Sequence, residues 1–365
     1  MTKASVSLGH GQGFAEHTVT LAAPIGREVR VEVRASSLCH SDLHLVETDF
    51  GVPMPAVFGH EVAGVVTAVG LDVTTINLGD HVVACLVRFC GLCLDCVSGR
   101  SYACSNPQAT LRKANEPARL TFQDGSPINQ AHGIGGFAAE VLVHENQLAV
   151  VNRQIPFPQA SLLGCGTVTG AGAAINSARV RVGDTVAVIG TGGVGLNTIS
   201  GARLAGALRI IAIDIDDKKL EVARRFGATD TVNSRNVDAV AEVQRLLGGG
   251  VQHAFEVIGL EQTQKQAIDM VRSGGGAYFV GLAKPSAQIS IGSSLEMLRA
   301  HSPITGVHMG STNLKKDIPM YADLYVQGRL NLDDLISQEI GLGDVNAAYE
   351  QLKRGEVIRS VITSF

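Results

Sequence analysis

The 365-residue sequence contains no tryptophan, and aromatic residues make up only 4% of it. It lacks any uninterrupted run of about eighteen apolar residues, so no membrane-spanning helix is expected. Its first residues, MTKASVSLGHGQGFAEH, lack the charged and then apolar pattern of a secretory signal, which predicts a cytoplasmic protein. No basic block is present, and 30 basic against 34 acidic side chains give a formal net charge of -4. Nucleic-acid binding therefore has little electrostatic support.

The chain is long enough for two domains, because single hydrophobic cores usually stop growing at about 250–300 residues. Short strands dominate the first half, as in REVRVEVRAS and HEVAGVVTAVG, and indicate an antiparallel, barrel-like domain. From residue 167 onward, apolar strands alternate with helical stretches, which predicts βαβ units and a parallel sheet. We expect a first domain at 1–166, a second at 167–308 and a return to the first at 309–365.

Seven cysteines are present, an odd number, and most of them are crowded into one stretch. A disulfide framework would spread its cysteines along the chain, so reduced thiols are expected. Cys90, Cys93, Cys96 and Cys104 follow the pattern C-x2-C-x2-C-x7-C. Four thiolates suit a closed, structural zinc site better than a thioredoxin-type pair, which needs only two cysteines, or an iron–sulfur cluster.

A dinucleotide site is predicted by VAVIGTGGVG, where Gly190, Gly192 and Gly195 form a G-x-G-x-x-G pattern. The motif follows a predicted strand and opens a predicted helix, so backbone N–H groups face an incoming pyrophosphate. Asp214 ends the next strand, where a carboxylate accepts hydrogen bonds from ribose and repels a 2′-phosphate. NAD is therefore expected rather than NADP. Lys219, one helical turn further on, either reaches the ribose or belongs to a solvated helix face.

The thiols outside the four-cysteine lobe suggest a second metal site. Cys39 stands in LCHSDLH, His60 and Glu61 in FGHEVAG, and Cys165 in LLGCGTVTG. Two thiolates and one imidazole can hold zinc and leave a fourth position open, as catalytic sites require. Taken singly, however, Cys165 is an ordinary core cysteine and His60 an ordinary buried histidine. Spacing alone does not join them.

At these residues the chain resembles the zinc-dependent, medium-chain alcohol dehydrogenases. CHSDLH, GHEVAG, the four-cysteine lobe, GCG, GTGGVG, the aspartate-terminated strand and IRSVI occur in the family's order over nearly the whole chain. The resemblance implies a Rossmann doubly wound parallel sheet plus a GroES-like β-barrel catalytic domain with a structural zinc lobe at 88–106. It disfavours zinc-free quinone reductases, which lack both metal sites. Cys85 matches no ligand position and is expected in the core.

The resemblance also implies how the metal site is built. Cys39, His60 and Cys165 would hold the catalytic zinc. Glu61 would lie beside it as an occasional ligand or a neighbour of the ligands. Asp42 would hydrogen-bond His60 and fix the orientation of its ring.

The same resemblance assigns a proton path and two cofactor contacts. Ser41 would take the proton of the zinc-bound alcohol and pass it through the nicotinamide ribose to His44 and water. His40 occupies a place where many relatives carry an arginine against the pyrophosphate, and its partial charge near neutral pH would make cofactor binding pH-dependent. Arg359 matches the family's other pyrophosphate-binding arginine.

The remaining cofactor contacts are implied by position in the family's pattern. Thr169 and Val194 would press the nicotinamide ring toward the substrate, and main-chain groups of Val280, Val307 and Met309 would bind its carboxamide. The full predicted set around the pyrophosphate loop is Gly190, Gly192, Gly193, Val194 and Gly195.

The implied reaction interconverts small alcohols with aldehydes or ketones by hydride transfer from a zinc-bound alkoxide to NAD. Two zinc ions per chain are expected, one catalytic and one structural. Ser41 is smaller than the threonine of many relatives, and Phe50 and Leu86 match pocket walls, which favours aliphatic, allylic or aromatic alcohols. The other interpretation of Phe50 and Leu86 is simple core packing. The cleft between domains would hold cofactor and substrate.

Assembly is predicted from the long segment after Cys104, which resembles the dimeric branch of the family. A homodimer joined through the edge strand near 302–308 is expected.

Four other functions compete with this interpretation. A nicotinoprotein that retains NAD stays open. A thiol-dependent formaldehyde dehydrogenase also stays open, although ETDFGV and CSNPQA lack the charged residues expected there. A crystallin-like protein would not need the ligand set, and a zinc-ribbon nucleic-acid module conflicts with the acidic balance.

Overall fold

The computed structural model describes residues 1–293, 298 and 301–365. The chain divides into two compact units. Unit 1 contains Met1–Cys165 and Asn313–Phe365, and unit 2 contains Gly166–Thr312. Within the described residues, we found no helix that combines the length and apolar character needed to cross a membrane.

Strands are numbered in chain order. The described strands are β1 (Thr2–Ser7), β2 (Ala15–Leu21), β3 (Glu28–Ser37), β4 (Ala56–Val57), β5 (Glu61–Val69), β6 (His81–Ala84), β7 (Leu120–Thr121), β8 (Asn129–Gln130), β9 (Glu140–His144), β10 (Leu148–Val150), β11 (Thr185–Ile189), β12 (Arg209–Asp214), β13 (Asp230–Asn233), β14 (Val251–Glu256), β15 (Val271–Phe279), β16 (Ile304–Gly306), β17 (Ile336–Gly341) and β18 (Arg359–Ser364).

Helices are numbered in the same way. The described α-helices are α1 (His40–Glu47), α2 (Leu94–Val97), α3 (Phe157–Leu162), α4 (Val168–Gly172), α5 (Gly193–Leu204), α6 (Asp217–Phe226), α7 (Ala239–Leu247), α8 (Glu261–Met270), α9 (Leu314–Val326) and α10 (Val345–Lys353). Two π-helical turns, Leu163–Thr167 and Ala173–Ser177, flank α4.

Unit 2 is built on a parallel sheet with the strand order β13-β12-β11-β14-β15-β16. The central strands β11 and β12 are buried on both faces: in β12, Ile210, Ile211, Ala212 and Ile213 are at most 1% exposed. Helices α5 to α8 connect successive strands from β11 to β15. The order reverses between β11 and β14, and ligands of doubly wound sheets bind at the carboxyl ends of the strands at such a reversal. The predicted doubly wound parallel sheet is confirmed.

Unit 1 contains two sheets whose pairings are mainly antiparallel. One has the order β7-β2-β1-β4-β8, and the other has the order β10-β6-β5-β3-β18-β17, with β9 also paired to β3. Phe14 joins the core beside them: its ring meets Phe58 and Phe137 edge-on at 6.0 and 5.7 Å and stacks on Tyr349 at 5.7 Å. Through β18, the C-terminal segment pairs with β3 and completes the larger sheet.

A buried carboxylate anchors the long segment that follows Cys104. Glu28, at the start of β3, is 4% exposed and accepts hydrogen bonds from Arg112 (Nη2, 2.6 Å) and Arg119 (Nε, 2.7 Å). Arg119 also donates to the carbonyl of Thr110 (2.7 Å). Burial by itself raises the pKa of Glu28, but hydrogen bonds from Arg112 and Ile25 and the charge of Arg119 outweigh it and hold the pKa below 4.5. The segment is therefore tied to the barrel through one ionised group.

We expect Glu28→Gln to lower the free energy of unfolding by about 3–5 kcal/mol at pH 7, because it leaves two buried guanidinium groups without their carboxylate. The pKa of Glu28 is lower in the folded chain, so its contribution is present above 4.5 and is lost as pH falls through the lowered value. The gap between variant and parent should therefore shrink in acid. Urea unfolding over a pH series measures it.

The matched control is Glu32→Gln, whose partner Arg34 lies 3.0 Å away in an exposed pair. It should change stability by less than about 0.5 kcal/mol. A Glu28→Gln deficit of the same size at neutral and acid pH would contradict the ionic anchor.

Candidate active site

Four predicted metal ligands converge inside unit 1. One ligand atom each from Cys39, His60, Glu61 and Cys165 lies within 4.8 Å of the other three. The side chains of His60 and Glu61 are fully buried, and Cys39 and Cys165 are each 7% exposed. Cys39 precedes the first turn of α1, His60 immediately precedes β5, Glu61 begins β5, and Cys165 lies in the first π-helical turn. Residues far apart in the chain therefore form one donor cluster.

Gly164 explains how Cys165 reaches this cluster. A Cβ atom at Gly164 would collide with the carbonyl oxygen of Ala84, and it would lie 3.5 Å from the carbonyl oxygen of His60. Only glycine lets the turn lie so close to the ends of β5 and β6. The GCG sequence thus delivers the Cys165 thiol to His60.

The orientation of His60 is set by Asp42. His60 Nδ1 lies 3.0 Å from Asp42 Oδ1, and both side chains are fully buried. The Gly59 N–H donates to the same oxygen at 3.3 Å. Because Nδ1 faces the carboxylate, Nε2 is the nitrogen available for a metal. Ser41 Oγ lies 3.5 Å from His60 Nε2, on that side of the ring.

Charge is concentrated around the cluster. The hydrogen bond to Cys39 and burial raise the pKa of Cys165, so the two thiols do not both ionise easily without a cation. Burial also raises the pKa of Glu61 to about 7, against the opposing charge of Arg359, whose guanidinium lies 3.8 Å away. The structure thus places Arg359, predicted at the pyrophosphate, against Glu61 and only 4% exposed.

The donor set fits zinc. Two cysteine sulfurs and one imidazole nitrogen are ligands that zinc prefers, and three protein ligands leave a fourth position for a substrate oxygen. A dication would also neutralise the paired thiolates that burial disfavours. Cys39, His60 and Cys165 would hold the ion, with Glu61 alongside.

The four-cysteine lobe fits a second zinc. The Cys93–Cys96, Cys93–Cys104 and Cys90–Cys96 sulfur pairs are separated by 3.4, 3.8 and 3.9 Å. Tetrahedral zinc with Zn–S bonds of about 2.3 Å places its sulfurs about 3.8 Å apart. Backbone N–H groups of Cys96 and Ser105 lower the pKa of Cys93 to about 5. None of the seven cysteines forms a disulfide, so the six in the two clusters are available as metal ligands.

The predicted dinucleotide loop lies in unit 2 between β11 and α5. A Cβ atom at Gly195 would collide with the carbonyl oxygen of Gly190, so the loop closes tightly against the helix. A Cβ atom at Gly192 would meet nothing within 4 Å. Gly193 begins α5, a helix of 12 residues whose free N–H groups favour an anion. The open backbone at Gly192 is the surface that a pyrophosphate can approach.

Asp214 is held at the end of β12 by the same loop. Its Oδ2 accepts from Thr191 N–H (2.9 Å) and Thr191 Oγ1 (2.8 Å), and its Oδ1 accepts from Ile215 N–H (2.8 Å) and Asp216 N–H (3.2 Å). These four donors use the lone pairs of both oxygens. A ribose hydroxyl must therefore replace a donor, and the rotatable Thr191 hydroxyl is the one that can turn away. Lys219 lies half-buried in α6.

The residues predicted around the nicotinamide also lie in unit 2. Thr169 Oγ1 donates to Met309 Sδ at 3.5 Å. The Val280 N–H donates to Glu256 (2.8 Å) and the Val307 N–H to Phe279 (2.8 Å), each to a carbonyl. The main-chain N–H groups of both valines are thus already hydrogen-bonded. The carboxamide of a nicotinamide would therefore have to donate to the carbonyl oxygens of these valines. Val194 lies half-buried in the first turn of α5.

The other predicted residues are less closely grouped. His40 and His44 are exposed on α1, with ring centroids 6.5 Å apart. Phe50 is 37% exposed in the loop after α1, whereas Leu86 packs against the barrel core. The structure therefore places Phe50 and Leu86 in different surroundings, and their pocket role stays a prediction.

Three residues of these sites were not singled out from the sequence. The Tyr349 hydroxyl donates to the Cys39 carbonyl at 3.3 Å, Thr191 binds Asp214, and the His132 ring lies 5.2 Å from that of His60. Tyr349 has the spacing of a core residue in an amphipathic helix, and Thr191 fills an unspecified position of the glycine motif. His132 stands alone in INQAHGIG. Nothing in the local pattern could have indicated them.

Comparison with known proteins agrees with this geometry. Residues 26–156 match the alcohol dehydrogenase GroES-like domain, and residues 193–327 match the zinc-binding dehydrogenase domain. The S-(hydroxymethyl)glutathione dehydrogenase of Paracoccus denitrificans is 33% identical over 99% of both chains. An alcohol dehydrogenase zinc-binding domain protein from Burkholderia ambifaria has a TM-score of 0.95 at 35% identity, covering 100% of this chain and 99% of that one. Benzyl alcohol dehydrogenase from Acinetobacter calcoaceticus has a TM-score of 0.92 at 32% identity, with the same coverage.

The doubly wound sheet, the barrel sheets and the two thiolate clusters define the class of zinc-binding dehydrogenases. Within that class, the chain belongs to the zinc-dependent medium-chain alcohol dehydrogenase family. The resemblance inferred from the motifs and the predicted fold class are both confirmed.

We expect purified protein to contain two zinc ions per chain, one for each cluster. Cys104→Ser and Cys165→Ser should each remove one, because serine is a poor zinc ligand beside thiolates. Cys85→Ser should retain both, because burial raises the pKa of Cys85 to about 12 and keeps it a thiol. Elemental analysis of the desalted proteins measures the counts. A Cys165→Ser protein that still holds two zinc ions would disprove the proposed ligand set.

Proposed function

We propose that the chain is an NAD-dependent alcohol dehydrogenase that interconverts apolar alcohols with their aldehydes or ketones. The observation that carries the proposal is the donor cluster of Cys39, His60 and Cys165 with a hydroxyl beside it. Ser41 Oγ donates to Cys39 Sγ at 3.1 Å and lies 3.5 Å from His60 Nε2. A hydroxyl beside the cluster can accept a proton from an alcohol substrate, and a purely structural zinc site has no use for such a group.

Zinc bound by Cys39, His60 and Cys165 would supply Lewis acidity, which lowers the pKa of a substrate hydroxyl. The Ser41 hydroxyl is placed to accept the proton that such a hydroxyl releases. His44 lies three residues further on the same face of α1 and is exposed, so it can pass the proton to water. The cluster residues are at most 7% exposed, so the packing of unit 1 limits the access of water to them.

The choice of NAD is supported by Asp214. Its carboxylate is fixed by four hydrogen bonds at the end of β12, where the adenosine ribose of a dinucleotide bound to this fold would lie. A fixed negative charge repels the 2′-phosphate of NADP. A retained NAD, as in nicotinoproteins, is compatible with the same residues.

We expect Asp214→Asn to reduce the preference for NAD over NADP, expressed as a ratio of kcat/KM values, by about 10-fold or more, because a like-charge repulsion of a few kcal/mol disappears. Asparagine keeps the size and one acceptor oxygen. Asp217→Asn is the matched control, since Asp217 begins α6 and bonds instead to Asn233 (2.7 Å). An unchanged preference in Asp214→Asn would refute the ribose assignment.

An apolar substrate is supported by Phe50, which follows α1 with its side chain partly exposed, and by the name of the benzyl alcohol dehydrogenase relative. The proposed homodimer is supported by β16, which is the last strand of the parallel sheet among the described residues and leaves an edge for pairing.

A second candidate is a dehydrogenase of thiol–formaldehyde adducts, favoured by the name of the Paracoccus relative. Such adducts carry carboxylates and require cationic side chains. In the ETDFGV loop, however, Asp49 is acidic and Phe50 apolar, and the nearby His10 is paired with Asp49 at 3.4 Å. These contacts favour the apolar alcohol.

The test is NADH absorbance with NAD and a panel of aliphatic, allylic and benzylic alcohols, together with formaldehyde plus a carboxylated thiol. We expect turnover of apolar alcohols that Cys165→Ala abolishes while the lobe zinc stays bound. Turnover of the thiol adduct alone would establish the second candidate. Turnover only with an added electron acceptor, with NAD retained on desalting, would establish a nicotinoprotein.

A further inference from the structure

A histidine outside the predicted set lies beside the metal ligand His60. The ring of His132 meets the ring of His60 edge-on, with centroids 5.2 Å apart and an interplanar angle of 73°. A ring nitrogen of His132, a ring nitrogen of His60 and a carboxylate oxygen of Asp42 all lie within 4.8 Å of one another. His132 therefore adjoins the hydrogen bond that orients His60.

The backbone at His132 is held in an unfavourable conformation. His132 has φ 57° and ψ 11°, in the left-handed region that residues with a Cβ rarely adopt. Its carbonyl accepts from Gln147 Nε2 at 3.0 Å, and the same nitrogen donates to Cys85 at 3.2 Å. Gln147 is fully buried. Strain that the surroundings maintain in this way is typical of residues with a functional placement.

The carboxylate of Asp42 has one oxygen that the hydrogen bond to His60 does not use. Oδ1 is within hydrogen-bond distance of His60 Nδ1 and accepts a hydrogen bond from the Gly59 N–H. Oδ2 is buried and, among the described residues, has no hydrogen-bond partner. A buried carboxylate oxygen is normally satisfied. A ring nitrogen of His132 lies within 4.8 Å of a carboxylate oxygen of Asp42. A single water molecule bridges groups at such a separation.

We propose that His132 is a positioning residue for the catalytic zinc site. Its imidazole supplies, through one water molecule, the hydrogen bond to the second oxygen of Asp42. Asp42 is then held from two sides, and the His60 ring is kept with Nε2 toward Cys39 and Cys165. The inference rests on the proposed function, because it assigns His132 to the zinc centre. It predicts that the catalytic zinc, and not the lobe zinc, depends on His132.

Three substitutions separate the contributions of the ring and the donor. His132→Gly removes the ring and the donor together. Glycine adopts the left-handed backbone conformation without strain, so this variant is expected to fold. His132→Phe keeps a ring but no donor. His132→Asn keeps an N–H donor and suits the left-handed conformation. His17→Asn is the control, because His17 makes a similar edge-on contact with Phe122 (5.4 Å, 73°) elsewhere in unit 1.

The measurement is the rate at which a chelator extracts zinc, with the lobe zinc as the internal reference and Cys165→Ser identifying the catalytic zinc. We expect His132→Gly and His132→Phe to lose the catalytic zinc about 10- to 100-fold faster than the parent. His132→Asn and His17→Asn should stay within about threefold. In cobalt-substituted protein, the absorption bands of the catalytic site should shift in His132→Gly and remain in His132→Asn.

Two results would overturn the role of His132: parent-like extraction and cobalt bands in His132→Gly, or parent-like extraction in His132→Phe, which would assign the effect to ring packing alone. Both are distinguishable from failure of the proposed function. A parent protein that holds only the lobe zinc contradicts the catalytic zinc site itself, whereas a parent with two zinc ions leaves that site intact and tests His132 alone.

Discussion

The burial of Cys39 and Cys165 side by side is the constraint on which the rest of unit 1 depends. Two thiols at 7% exposure do not both ionise easily without a cation, and ionised thiols are what a zinc ligand set requires. The surrounding residues supply order: Asp42 orients His60, and the Tyr349 hydroxyl binds the Cys39 carbonyl. Tyr349 in turn stacks in the aromatic core. The barrel core and the donor cluster are therefore parts of one packing arrangement.

In unit 2 the group of interest is a hydrogen-bonded carboxylate, in contrast to the pair of buried thiols in unit 1. This carboxylate, Asp214, is held in place by hydrogen bonds from the loop that begins at Gly190. The same loop presents the free N–H groups of α5. A negative group and a helix start that favours anions thus stand close together. Under the proposed function they would bind different parts of one ligand, the ribose hydroxyls and the pyrophosphate. Thr191 links the helix start to the carboxylate, because its backbone is part of the loop and its hydroxyl donates a hydrogen bond to Asp214.

Much of the fold and of the candidate site was predictable from the sequence, but the basis of the prediction differs from one feature to the next. The strands and helices of unit 2 follow from apolar runs between glycines, so β11, α5 and β12 lie where the pattern indicated. The spacing of the lobe cysteines is local and was sufficient by itself. Joining Cys165 to His60 required the resemblance, because no local pattern reports a contact between distant segments. The same limit hid the contact of Tyr349 with the Cys39 carbonyl and that of Arg359 with Glu61, and it left the pocket role of Phe50 and Leu86 as a prediction.

The two thiolate clusters differ in how their sulfurs are hydrogen-bonded, and this difference bears on their roles. In the lobe, backbone N–H groups of Leu92 and Cys93 donate to Cys90 Sγ, and that of Asn106 donates to Cys104 Sγ. Such donors are fixed by the fold and stabilise a thiolate permanently. Cys39 Sγ instead accepts from the hydroxyl of Ser41, which can rotate and exchange partners. A metal centre that must bind and release an alcohol needs a donor of this second kind, because the hydrogen bond has to change as the proton moves.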